Sequence, residues 1–279
     1  MPMDATGRGP EQASTTPWDT PSPPGSPNPS IEAVDAAIRA RRTVKVFHDP
    51  DAPAAKIPAG FNQSVEAILD VAGWAPFHKA AHARHRQGDQ ASIVPWRFHW
   101  FDAHACHALI RRIEALSKTV DEPIWQSAPK SKIPKMLSAA GAMVLVTWLP
   151  DPEPTTLPGQ VEAARRAEHQ LRNDEHLAAA AAASQNLLLA ATARGMASYW
   201  SSGGVLRTER ALELCGILTD QSLLGAIFLF PEPLGAEGED YVTGKLRDLR
   251  GPVEGWSRRV EVGEIPSNHP VNSIPDPGA

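Results

Sequence analysis

The sequence predicts a protein that mixes helices with short buried strands, and three observations lead there. Two continuous apolar runs, Ala142–Trp148 and Ser222–Phe230, have the length of strands buried on both faces. Residues 31–38, 65–72 and 104–120 repeat apolar side chains at helical spacing. Residues 176–194 are apolar almost all round, so a helix there must be buried on every side, at a domain centre or a subunit interface. A chain of 279 residues has length for one large or two small domains.

Residues 1–29 are rich in Pro, Ser, Thr and Gly and carry too little apolar surface to offset ordering entropy, which predicts disorder. Ser30 is a good N-cap for a first helix with Ile31, Val34 and Ile38 on one face. Arg41-Arg42-Thr43-Val44-Lys45-Val46-Phe47 follows. In an extended segment Arg41, Thr43 and Lys45 share a face, and two cations with a hydroxyl suit a phosphate; a solvated basic turn is the plain alternative. Ser64 is positioned to cap a second helix that stops at Gly73-Trp74-Ala75-Pro76. Residues 77–94 read as irregular and rich in His, Lys and Arg, and residues 95–101 alternate like a strand with Trp96, Phe98 and Trp100 on one face.

Residues 104–120 then form an amphipathic helix, 121–131 a loose stretch around Trp125, and 132–140 a short helix. A polar helix runs through Arg172 and precedes the apolar one, which Gly195 terminates. Residues 197–200 look strand-like, Ser201-Ser202-Gly203-Gly204 forms a small-residue turn, and Thr208 caps a helix to Ile217. Lys245, Arg247 and Arg250 make a second basic cluster after the last apolar strand.

The bulk properties exclude several classes. A net charge of −5 and a pI near 6.1 lack the broadly basic footprint of a general nucleic-acid binder. The N-terminus has no apolar signal core, and no run has the length and character of a membrane span. Cys106 and Cys215 stand alone, which fits a reducing cytoplasm and gives neither a metal cage nor a disulfide. His78, His82 and His85 have a spacing a metal site could use, but the neighbouring Lys79, Arg84 and Arg86 would repel a cation. GxGxxG, P-loop, GxSxG and HExxH patterns are absent.

Five segments in order carry a resemblance: RRTVKVF, GWAPFHK, PWRF, ASQNLLLAATARGMASYWSSGG and LLGAIFLFPEP. Together they resemble the FMN-dependent nitroreductase family, over most of residues 30–257, and the APFHK form looks most like a compact branch of it. The resemblance implies an α+β fold with a central, mainly antiparallel sheet flanked by helices, working as a homodimer, with a C-terminal extension at 258–279. It implies that Arg41, Arg42, Thr43 and Lys45 hold the FMN phosphate and ribityl chain, completed by Lys245 and Arg247, with Arg250 as an alternative. Trp74 and His78 match positions that approach the flavin from the partner subunit. Trp200, Ser201 and Ser202 resemble the turn against the isoalloxazine ring.

The implied activity passes hydride from NAD(P)H through FMN to a nitroaromatic, quinone or similar small acceptor, with no catalytic acid or base from the protein. Two alternatives stand beside it, a flavin-dependent dehydrogenase or oxidase of a dedicated metabolite and a non-catalytic FMN-binding protein. The sequence departs from the family at Ser92, Ile93 and Val94, where members carry Asn or Gln before Pro-Trp, and in a longer connection at 80–94. Those departures bear on contacts to the ring and on substrate choice.

Overall fold

A computed structural model of the chain describes residues 30–52, 56–88, 91–153, 160–235 and 237–260. The tail expected at 1–29 and most of the extension at 258–279 lie outside the described residues. The chain divides into two compact units, residues 1–40 and 41–279. In the first, α1 (Ile31–Ala40) starts after Ser30, whose hydroxyl accepts the Ala33 N–H at 3.1 Å. No residue of α1 is buried, and its apolar face of Ile31, Val34 and Ile38 is exposed.

The second unit is built on a four-stranded antiparallel sheet in the order β2 (Trp96–Asp102), β3 (Ala142–Trp148), β5 (Ser222–Phe230), β4 (Ala197–Ser201). Both faces are covered, which is why β3 and β5 are apolar throughout. Met143, Leu145, Ala226 and Phe228 join the cluster beneath α3 (Ala103–Ser117), α4 (Pro123–Ser127) and α5 (Lys132–Ala139). Val144, Val146, Ile227 and Leu229 join the opposite cluster with α2 (Phe61–Ala72) and α6 (Gln160–Ala193). A further short helix, α7 (Glu209–Leu214), is capped by Thr208.

Several expectations need correction. α2 begins at Phe61, because Gly60 at φ 80° turns the chain into it, and Ser64 lies inside the helix. The polar and apolar segments around Arg172 form one 34-residue helix, α6. That helix is not buried on every side within the chain: His176, Ala179, Ala180, Ala183, Leu187, Leu188 and Ala191 face inward, whereas Leu177, Ala178 and Gln185 are exposed. One layer of neighbours covers one face of a helix only. Trp125 is fully buried in α4.

The sequence reading also missed a strand. β6 (Glu239–Thr243) pairs antiparallel with β1 (Val44–His48), Val44 opposite Thr243. This two-stranded ribbon meets the main sheet at Thr43, which bridges to Ser198 of β4.

Candidate functional site

The basic stretch after α1 is the natural starting point. Alternation along β1 buries Val46 and His48 and leaves Lys45 and Phe47 half-buried on the other face. The Lys45 ammonium sits over the Tyr199 ring, 4.8 Å from its centroid, next to the turn that Trp200 opens. β6 delivers the second basic cluster to the same place. The Gly244 N–H donates to Thr43 O at 2.8 Å, and Arg247 Nη1 donates to Arg41 O at 2.8 Å. Gly244 is tightly placed here, since a Cβ would lie 3.0 Å from Thr43 Cβ.

The electrostatics of this junction are one-sided. Burial pushes the Arg41 guanidinium below its ordinary pKa, and the nearby Arg247 charge pushes it further down. Among the described residues no carboxylate pairs with either of these two cations, the condition in which a bound anion gains most. Arg42 turns elsewhere, to a surface pair with Asp248 at 3.4 Å. Lys245 is exposed at the start of the helical turn 246–249 that carries Arg247, and Arg250 is exposed at its end.

Beyond Tyr199 the chain makes the small-residue turn. Ser201 is buried, and its Oγ accepts the Gly203 N–H at 3.2 Å. Gly203 and Gly204 both take positive φ, 108° and 55°, which side chains disfavour. The Trp200 indole lies against Gly225 of β5 so closely that any Cβ there would collide with it.

Arg207, which sequence reasoning passed over, holds this turn. Its Nε donates to Ser202 O at 2.9 Å, Nη1 to Leu223 O at 2.7 Å and Nη2 to Leu224 O at 2.9 Å. A cavity of about 490 Å³ opens beside it, lined by Trp148, Glu209, Gln221 and Ser222 among others. Arg41, Lys45 and Arg247 do not line that cavity.

Two of the expected residues stand apart within one chain. Trp74, just past α2, is 84% exposed. His78 is exposed too, and its charged neighbour is Glu175 of α6 at 3.8 Å. His85 diverges from it: buried, with Nδ1 3.0 Å from Asp220 and Nε2 2.8 Å from Pro150 O.

The described parts of the long connection at 80–94 gather around Arg97. The side chain is buried, and it donates to Val94 O and Trp96 O from Nη1 at 2.8 and 2.7 Å and to His85 O and Ser92 O from Nη2 at 2.9 and 3.0 Å.

The fold and this junction define an α+β chain with a cationic cradle where a two-stranded ribbon meets the edge of an antiparallel sheet. The nitroreductase family model matches residues 38–229, and the chain belongs to that family. No curated protein matches it. Among solved structures it is similar to a nitroreductase-like family protein from Bacillus cereus, with 21% identity over 82% of this chain and 96% of that one and a TM-score of 0.51, a likeness of fold. A nitroreductase with bound FMN from Bacteroides fragilis shares 22% identity over 73% and 90% of the two chains, TM-score 0.45. An FMN-dependent nitroreductase from Mycobacterium smegmatis in complex with NADPH shares 16% over 82% and 99%, TM-score 0.48.

Proposed function

We propose that the protein is an FMN-dependent oxidoreductase using NAD(P)H as electron donor and a small nitroaromatic or quinone-like acceptor. The observation that carries this reading is the unbalanced pair Arg41 and Arg247, brought together by β1 and β6 in a chain of the nitroreductase family. Guanidinium groups suit a phosphate monoester because their forked donors match its oxygens. Arg41, Arg247 and Lys45, with the Thr43 hydroxyl, would hold the FMN phosphate, with Lys245 and Arg42 at the rim. The turn at Trp200, Ser201 and Ser202 would offer backbone groups to the ring, with close approach permitted by Gly203 and Gly204. When bound, FMN supplies the hydride chemistry; the protein positions it, excludes water and places cations near its polar edge.

The working unit in this reading is a homodimer. The exposed apolar face of α6, with Leu177 and Ala178, and the exposed Trp74 support it, because a partner covering them would also bring Trp74 and His78 to its own flavin. Leu188 faces its own chain's core, so it is no probe of the interface. Ala178, on the open face, is the informative position. The Ala178→Arg protein is expected to sediment as a monomer and to lose flavin, while the native protein sediments as a dimer. A native protein that is a stable monomer with full flavin and NADPH oxidation sinks the shared site.

The activity itself is tested by the absorbance spectrum of purified protein under anaerobic conditions before and after NADPH. Bleaching of a bound flavin is expected. A flavin that NADPH leaves oxidised points to the dedicated-metabolite or non-catalytic alternatives, and no flavin at all removes the reading.

A further inference from the structure

The first turns of α3 and the end of α5 border a cavity of about 430 Å³. Ile57, Ala103 and Ala140 give it an apolar wall. His104, His107, Arg111 and the Ser138 hydroxyl give it polar groups. The three α3 side chains follow at spacings of three and four residues, which stacks them on one helix face.

No carboxylate lines the cavity, and among the described residues none pairs with His104, His107 or Arg111. Asp102 caps α3 by accepting the Ala105 N–H at 2.7 Å, and Asp49 meets Ser138 through its main-chain oxygen at 3.4 Å. Behind Ser138 stands a third imidazole, the buried His48 of β1, with Nδ1 2.9 Å from Ser138 Oγ. Burial pushes the His107 pKa down, and Arg111, His48 and His104 push it further in the same direction. The cavity thus sets the Arg111 cation and two imidazole donors beside an apolar wall, an arrangement that gains when an anion with a small apolar body enters.

We infer that this cavity is a binding site for a small organic anion, a carboxylate or phosphate monoester. The charged end meets Arg111, His104 and His107, and the body lies against Ile57, Ala103 and Ala140. The site shares no lining residue with the Arg41–Arg247 cradle, and the two lie toward opposite ends of β1, a strand of five residues and so about 15 Å long. An entering anion raises the proton affinity of the His107 imidazole, which burial and its cationic neighbours hold down in the empty site, so binding tightens as pH falls.

Phenyl phosphate is a suitable probe, titrated into the full-length protein while the histidine ring signals are followed by NMR, with His104→Gln and His107→Gln assigning the peaks. Saturable shifts of both rings are expected, with tighter binding at pH 6 than at pH 8. Arg111→Ala should weaken affinity about tenfold, as loss of one charge-assisted contact does. Arg111 is exposed, so its removal leaves the fold intact. Arg41→Ala should leave this binding unchanged, and phenol should bind far more weakly. Absence of saturable shifts at both pH values overturns the site, as does equal affinity in Arg111→Ala or equal binding of phenol. Loss of binding in Arg41→Ala also overturns it, by placing the probe in the other cradle.

Discussion

Arg41 and Arg97 are both partly or wholly withdrawn from solvent, and they are held in opposite ways. Arg97 spends its donors on four backbone carbonyls and so fastens the 80–94 connection to the start of β2. Arg41 donates no side-chain hydrogen bond among the described residues; its backbone oxygen receives Arg247, whose charge repels its own. A cation satisfied by the chain serves the fold, whereas a cation left beside another cation is poised for a ligand. Arg207 lies between the two, exposed but donating to three carbonyls around the turn after β4.

The comparison can be broken by truncating each arginine in turn. Arg97→Leu should have the largest effect on stability, because it leaves buried carbonyls without donors at about 3 kcal/mol or more. Calorimetry should then record a fall in Tm of roughly 6–12 °C. A Tm within a degree of the native value would mean that the 80–94 connection is held by something else. Arg41→Ala should do the reverse. Flavin affinity falls roughly tenfold to a hundredfold, measured by fluorescence titration, while the flavin-free protein keeps its Tm since only a repulsive neighbour is removed. A destabilised flavin-free variant would make Arg41 a structural residue after all. Arg207→Ala should weaken flavin retention by only a few-fold, about 1 kcal/mol, through a looser turn. Arg207→Lys should recover part of that, because an ammonium cannot fork to three oxygens.

The smallest effect is in the pH dependence of stability. Burial pushes the Cys106 thiol up to about 12 and the Cys215 thiol to about 11. Between the ordinary thiol range and those values the folded chain holds protons that the unfolded chain releases. Stability is therefore full below pH about 9 and falls as pH rises beyond it. At the acid end His99, pushed down chiefly by burial, works the other way: the unfolded chain takes up the proton first, so stability falls as pH drops below about 6.5. Urea denaturation across pH 5–10 should show both declines, and the alkaline one should shrink in Cys106→Ala.

The residues that sequence patterns revealed are those whose behaviour is set locally. β3 and β5 announced themselves as continuous apolar runs because both sheet faces are covered. What escaped depends on distant partners. β6, with the sequence EDYVT, has little apolar character and exists because β1 supplies its hydrogen bonds. The role of Arg97 was not legible either, since no local pattern shows that the residues before it return carbonyls to its side chain. Leu188 looked interchangeable with Leu177 in a helix apolar on all sides, and only packing against α2 and the sheet tells the inward one from the outward one.

The ribbon of β1 and β6 also sets a timetable. Arg41 and Arg247 are 206 residues apart, so the ribosome finishes one half of the cradle long before the other. At roughly 5–20 residues per second the gap is about ten to forty seconds. Throughout it β1 has no β6 to pair with, and its basic residues face solvent or whatever chaperone is at hand. A chain truncated before Glu239 would therefore keep all four strands of the main sheet but lose β6 and the Arg247 side of the junction.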